Sequence, residues 1–112
     1  MIDIFGIPNC DKVKKTLEIL QEGNVNYLFV DFKKKSPTKE QVLSWKNHLD
    51  DWPVNKRGTT FRKFKDKFLK ASDNEKVGLI IKNSSIIPRP IVEKNGKILK
   101  IGFDEDFLRS LQ

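Results

Sequence analysis

IDIFGIPNCDKVKKTLEIL, running from Ile2 to Leu20, decides the fold. It begins with a short apolar run, Ile2 to Phe5, breaks at Gly6 and Pro8, and then spaces Val13, Leu17 and Leu20 by four and three. That pattern predicts a strand, a tight loop and a helix. Asn9, Cys10 and Asp11 fall where the helix starts, with Asn9 the best N-cap candidate. The first N–H groups of a helix have no partner inside it, and the macrodipole adds partial positive charge there. A thiolate at Cys10 would be stabilised by both, which makes this residue a candidate nucleophile. A single cysteine also has a plainer reading, that of a small buried hydrophobe. Its position at a loop-to-helix junction, followed by Lys12, Lys14 and Lys15, weighs against that reading.

Outward from this stretch, Gly23-Asn24 stops the helix and Val25 to Phe32 (VNYLFVDF) is a β-branched and aromatic run suited to a buried strand. Strand, helix and strand within 32 residues make a βαβ unit, with parallel strands and a right-handed crossover. A polar loop from Lys33 to Pro37 follows. Thr38 and Gln41 then form a capping box for a helix that carries Val42, Trp45 and Leu49 on one side. His48 lies on that helix and reads as a surface or half-buried residue, because no cysteine or second histidine accompanies it. Trp52-Pro53 ends the helix, and Val54 to Phe64 reads as loop or short helix.

Ser72 or Asp73 caps a further helix reaching about Asn83, with Val77, Ile80 and Ile81 inward. Pro88 and Pro90 bracket Arg89, so a strand can begin only after Pro90, and Asn95-Gly96 is a hairpin signal joining it to Lys97 to Ile101. Gly102 breaks the second strand, and Asp104 to Leu111 is a last short helix with Phe107, Leu108 and Leu111 inward. The order predicts an α/β protein with a mixed four-stranded sheet and a helical insertion at about residues 38–83.

With 112 residues the expectation is one domain, long enough to bury a core without a staple. No apolar run approaches the roughly 18 residues of a membrane span. The N-terminus lacks a basic segment followed by an apolar one, so no signal peptide is read and the cytoplasm is the expected location. A lone cysteine cannot close an internal disulfide, so disulfide chemistry needs a thiol from another molecule.

The net charge of +7 invites a nucleic-acid reading, but only four of the 22 basic residues are arginines and the lysines are scattered. The dense run from Arg62 to Lys70 interleaves its charges with Phe64, Phe68 and Leu69, as a solvated helix face does. Arg57-Gly58-Thr59-Thr60 combines a guanidinium, a permissive backbone and two hydroxyls, a set suited to an oxyanion or to an ordinary polar turn.

Four signatures in order, GIPNCDKVKK, NKRGTTFRKF, IIPRPIV and IGFDEDFLRSL, resemble the ArsC, YffB and Spx family of thioredoxin-fold proteins, most of all its YffB branch. The resemblance covers nearly the whole chain. It implies that Cys10 is the nucleophile, that Arg57 and Arg89 contact an oxyanion or glutathione, and that Pro90 is a cis-proline beside the site. Asn9 and Asp11 complete the expected binding set. The implied activity is that of a glutathione-dependent thiol–disulfide oxidoreductase, arsenate-reductase-like, acting as a monomer on a disulfide or an oxidised small molecule and using no metal. Arsenate reductases of the family carry a third arginine where this chain has Lys100-Ile101-Gly102-Phe103, which speaks against arsenate as substrate. The alternative is a Spx-like regulator that binds RNA polymerase. The CxxC pair common in oxidation-sensing Spx proteins is absent, because Val13 holds the second position.

Overall fold

The computed structural model describes residues 1–112. Along the chain it contains β1 (Ile2–Gly6), α1 (Asp11–Glu22), β2 (Tyr27–Asp31), α2 (Lys39–Leu49), α3 (Thr59–Arg62), α4 (Lys65–Lys70) and α5 (Asp73–Lys82). A 3₁₀ turn (Ser84–Ile86), β3 (Ile91–Lys94), β4 (Lys97–Ile101) and α6 (Glu105–Ser110) complete it. The chain divides into two compact units, Met1–Lys34 with Arg89–Gln112, and Lys35–Pro88.

The first unit holds the whole sheet, in the order β2-β1-β3-β4. β1 runs parallel to β2, with Ile2 opposite Tyr27 and Gly6 opposite Asp31, and antiparallel to β3, with Phe5 opposite Ile91. β1 is a central strand, paired on both edges, and of its residues only Asp3 is not buried. Its Ile2, Ile4 and Phe5 are core side chains. The hairpin between β3 and β4 turns on Asn95 and Gly96, both at positive φ (52° and 78°), the pair of left-handed residues that a type I′ turn requires. Val92 pairs with Lys100 but Glu93 with Ile98, so Leu99 is an extra residue bulging from β4.

α1 lays Val13, Thr16, Ile19 and Leu20 into the interior. Its C-terminus is a Schellman motif: the Val25 N–H reaches the Leu20 carbonyl (2.9 Å) and the Asn24 N–H that of Gln21 (3.1 Å). Asn24, not Gly23, takes the left-handed conformation (φ 56°). Ile19 and Leu20 pack with Ile2, Ile4, Val92 and Leu108, and Phe29, Phe103 and Leu111 close around them. Each fully buried aliphatic side chain of this kind contributes about 1.5–3 kcal/mol.

The second unit is helical, and α2 and α5 pack on each other within it. Both helices open with complete capping boxes, Thr38 with Gln41 and Ser72 with Glu75. Trp45, Val42 and Ile80 are fully buried. Phe61 stands edge-on to Phe64 and Phe68, with centroids 5.8 and 5.3 Å away, and Phe68 meets Trp52 at 6.2 Å. The unit departs from expectation in two places. Leu49 is exposed (38%), because Asp50 turns left-handed (φ 54°), gives its N–H to the Lys46 carbonyl and ends the helix one residue after Leu49. The basic run Arg62 to Lys70 is not one helical face. The chain breaks at Lys63 and Phe64, so that α3 buries Phe61 and α4 buries Phe68, while Leu69 is left outside.

Candidate active site

The site grows from the carboxyl end of β1. After Gly6 the chain makes a turn closed by the Cys10 N–H on the Ile7 carbonyl (3.3 Å), with exposed Pro8 and Asn9 at its centre. Proline fixes φ where the turn's second residue needs it. Because Asn9 is consumed by this turn, it does not cap the helix. The N-cap is Cys10 itself, extended at φ −97° and ψ 124°, and its carbonyl accepts the Lys14 N–H at 2.9 Å. The expectation for Asn9 is corrected by one residue, to the advantage of the thiol: an N-cap side chain faces the unpaired N–H groups of the second and third helical residues.

Those residues are Lys12 and Val13. The sulfur makes no short capping bond of the hydroxyl kind. Burial by itself pushes the half-buried Cys10 thiol up, but the Val13 N–H, the hydrogen bond and positive charge of the Arg89 side chain, and the Lys12 N–H together outweigh it. The thiol lies below its ordinary value. The two amides were not among the sequence candidates; a helix start signals such donors, but which ones serve depends on where the cap falls.

Close packing fixes this geometry. A Cβ on Gly6 would stand 2.7 Å from Val13 Cγ2, so only glycine lets the first turn of α1 approach the strand end so closely. The Gly6 carbonyl meanwhile accepts the Phe32 N–H at 2.9 Å, and the Phe5 and Phe32 rings stack at 6.1 Å.

Arg89 is half-buried and precedes the buried Pro90, and the bond between them is cis, as the resemblance implies. The Pro90 carbonyl accepts the N–H of Gly102 (2.8 Å), whose φ of +98° suits glycine. The first unit thus assembles Cys10, Asn9, Asp11, Arg89 and Pro90. Asp11 is the first helical residue and is exposed, its carboxylate placed favourably at the positive helix end. Arg57 belongs to the other unit, where it is exposed in the turn closed by the Gly58 N–H on the Asn55 carbonyl (3.0 Å). Lys100 is committed elsewhere, its Nζ lying 3.1 Å from Asp104. His48 is exposed on α2, and no group of three or more His, Cys, Asp or Glu side chains could hold a metal. No helix is long and apolar enough to cross a membrane.

A cysteine at a helix N-terminus beyond the first strand of a mixed β2-β1-β3-β4 sheet, with a cis-proline leading into β3, defines a thioredoxin-like protein. More narrowly, the chain belongs to the ArsC family, whose model matches residues 5–111. An uncharacterised protein of Haemophilus influenzae is 33% identical over 94% of this chain and 93% of its own length. The global transcriptional regulator Spx of Streptococcus mutans is 26% identical over 98% of this chain and 82% of its own. Among solved structures a YffB protein superposes with a TM-score of 0.82 at 30% identity, covering 99% of this chain and 98% of that one.

Proposed function

We propose that this protein is a glutathione-dependent thiol–disulfide oxidoreductase with Cys10 as its nucleophile. The observation that carries the reading is the set of donors around one sulfur: two helix N-terminal amides and the Arg89 guanidinium, all favouring the thiolate, the form that attacks. In the first step the Cys10 thiolate attacks the glutathione sulfur of a mixed disulfide. The Cys10–glutathione disulfide forms, the old disulfide breaks, and the substrate leaves as a thiolate that takes a proton from solvent. In the second step the thiolate of a second glutathione attacks the sulfur of the bound one, releasing Cys10 and glutathione disulfide. The two steps together turn the mixed disulfide and one free glutathione into the substrate thiol and glutathione disulfide, the incoming glutathione sulfur being oxidised as the substrate sulfur is reduced. A second thiol from outside is required because Cys10 is the only cysteine.

Glutathione suits the site by charge, since it carries two carboxylates and guanidinium groups bind carboxylates in bidentate fashion. Arg89 is the arginine whose charge favours the Cys10 thiolate, and that pair supports the reading. A role for Arg57 rests on the family resemblance. Intact-mass measurement after incubation with oxidised glutathione tests the proposal. A single glutathione adduct on the wild type and none on Cys10→Ser supports it, and an unmodified wild type at millimolar oxidised glutathione overturns it.

The likeness to Spx supports a second reading, a regulator that binds RNA polymerase. Capture of RNA polymerase by wild type and Cys10→Ser alike, with no turnover of a glutathione mixed disulfide, would favour that reading.

A further inference from the structure

The basic run beginning at Arg62 has a consequence independent of the cysteine. α4 and α5 enclose a surface groove of about 530 Å³, within the roughly 300–1,000 Å³ of small-ligand pockets. Its uncharged lining residues are Ala71, Gly78 and Leu79. Lys67, Lys70 and Lys82 line it, and none of the three is in a salt bridge. The one carboxylate present, Glu75, is held in the capping box at Ser72. Lys76 of the same helix is engaged differently, over the Trp52 and Phe68 rings at 5.8 and 5.6 Å.

Gly78 is the second observation. It lies inside α5, where glycine costs about 0.5–1 kcal/mol relative to alanine. Its φ is not in the left-handed region, and a Cβ there would meet nothing within 4 Å. Neither backbone conformation nor packing within the chain calls for glycine, while its lack of a side chain keeps the groove open.

We infer that this groove binds an acidic peptide segment, its carboxylates set on Lys67, Lys70 and Lys82 and an apolar side chain laid over Gly78 and Leu79. Three ammonium groups outside any salt bridge, against one carboxylate, beside apolar lining residues match that chemistry. Nucleic acid fits less well, since no arginine and no aromatic ring lines the groove. A flat anionic bilayer would not enter a concavity between two helices. A second copy of this chain would bring its own charge of +7.

The test uses the full chain and a fluorescein-labelled synthetic peptide of repeated Glu-Glu-Leu triplets, with a Lys-Lys-Leu peptide, single-stranded DNA and phosphatidylserine vesicles as competing probes. Amide shifts should cluster on α4 and α5 with the acidic peptide only, and binding should weaken as salt rises. Replacing the three lysines by serine should weaken binding at least tenfold. Gly78→Leu should block the groove, and Gly78→Ala should raise the thermal midpoint while weakening binding less. Retained affinity in the triple lysine variant, shifts clustered elsewhere, no binding at millimolar peptide, or preferential binding of DNA or vesicles would each overturn the inference. Cys10→Ser should bind the peptide like wild type, which separates this result from the glutathione chemistry.

Discussion

The positive Arg89 side chain, in the segment before β3, acts on the sulfur of Cys10 at the first turn of α1 and favours its thiolate. A cation on the thiolate does two things: it stabilises the anion at rest and remains available to an anionic partner when the sulfur becomes part of a disulfide.

The thiol should therefore titrate below the ordinary cysteine value of about 8.5, and Arg89→Met should raise its midpoint. Thiolate absorbance followed against pH checks both. The same shift links to stability. A folded-state pKa below the unfolded one favours the folded protein fully above the unfolded value, near 8.5, and the benefit is lost as pH falls through the folded value. Relative to Cys10→Ala, the wild type should gain stability across that window as pH rises. A stability difference flat in pH would contradict the assigned direction.

Gly6→Ala should destabilise the fold by about 1–3 kcal/mol, since the new methyl would stand 2.7 Å from Val13 Cγ2. The clash is with one side chain, so Val13→Ala on the same background should recover part of the loss. Urea unfolding of the two single variants and the double variant measures the coupling.

The two capping boxes give a third expectation. Thr38→Ala and Ser72→Ala each remove the acceptor for an N3 amide, at 3.1 Å from Gln41 N and 3.2 Å from Glu75 N, and each should cost about 0.5–2 kcal/mol. Serine at position 38 should retain most of the stability, whereas valine should behave like alanine. Denaturant midpoints distinguish the cases.

Arsenate reduction should be weak or absent. The position where the family's arsenate reductases carry a third arginine holds Lys100-Ile101-Gly102-Phe103, and the Lys100 ammonium is paired with Asp104. One lost charge-assisted hydrogen bond is worth about 1.5–3 kcal/mol, roughly ten- to a hundredfold in rate. Glutathione-coupled turnover of arsenate by the purified protein is the measurement, and efficient turnover would show that another cation supplies the missing charge.

Local pattern alone determined most of the architecture of this protein. The apolar run Ile2 to Phe5, the 3.6-residue spacing in α1, the Thr38 and Ser72 boxes and the Asn95-Gly96 turn depend on neighbours within a few residues, where propensity and hydrogen bonding act without the rest of the fold. Where the outcome turned on a single residue or on distant packing, the sequence misled. Asn9 is the best intrinsic cap, yet the turn after β1 takes it and leaves the cap to Cys10. Leu49 fits the helical stripe, yet Asp50 ends the helix and leaves it in solvent. The run from Arg62 to Lys70 is broken in two because Phe61 and Phe68 both must be buried. The chemistry of the site follows the same division. A lone cysteine near a helix start is visible in the chain, but the amides that face it and the arginine, nearly eighty residues away, that favours its thiolate are decided only when β1 and β3 pair and bring their ends together.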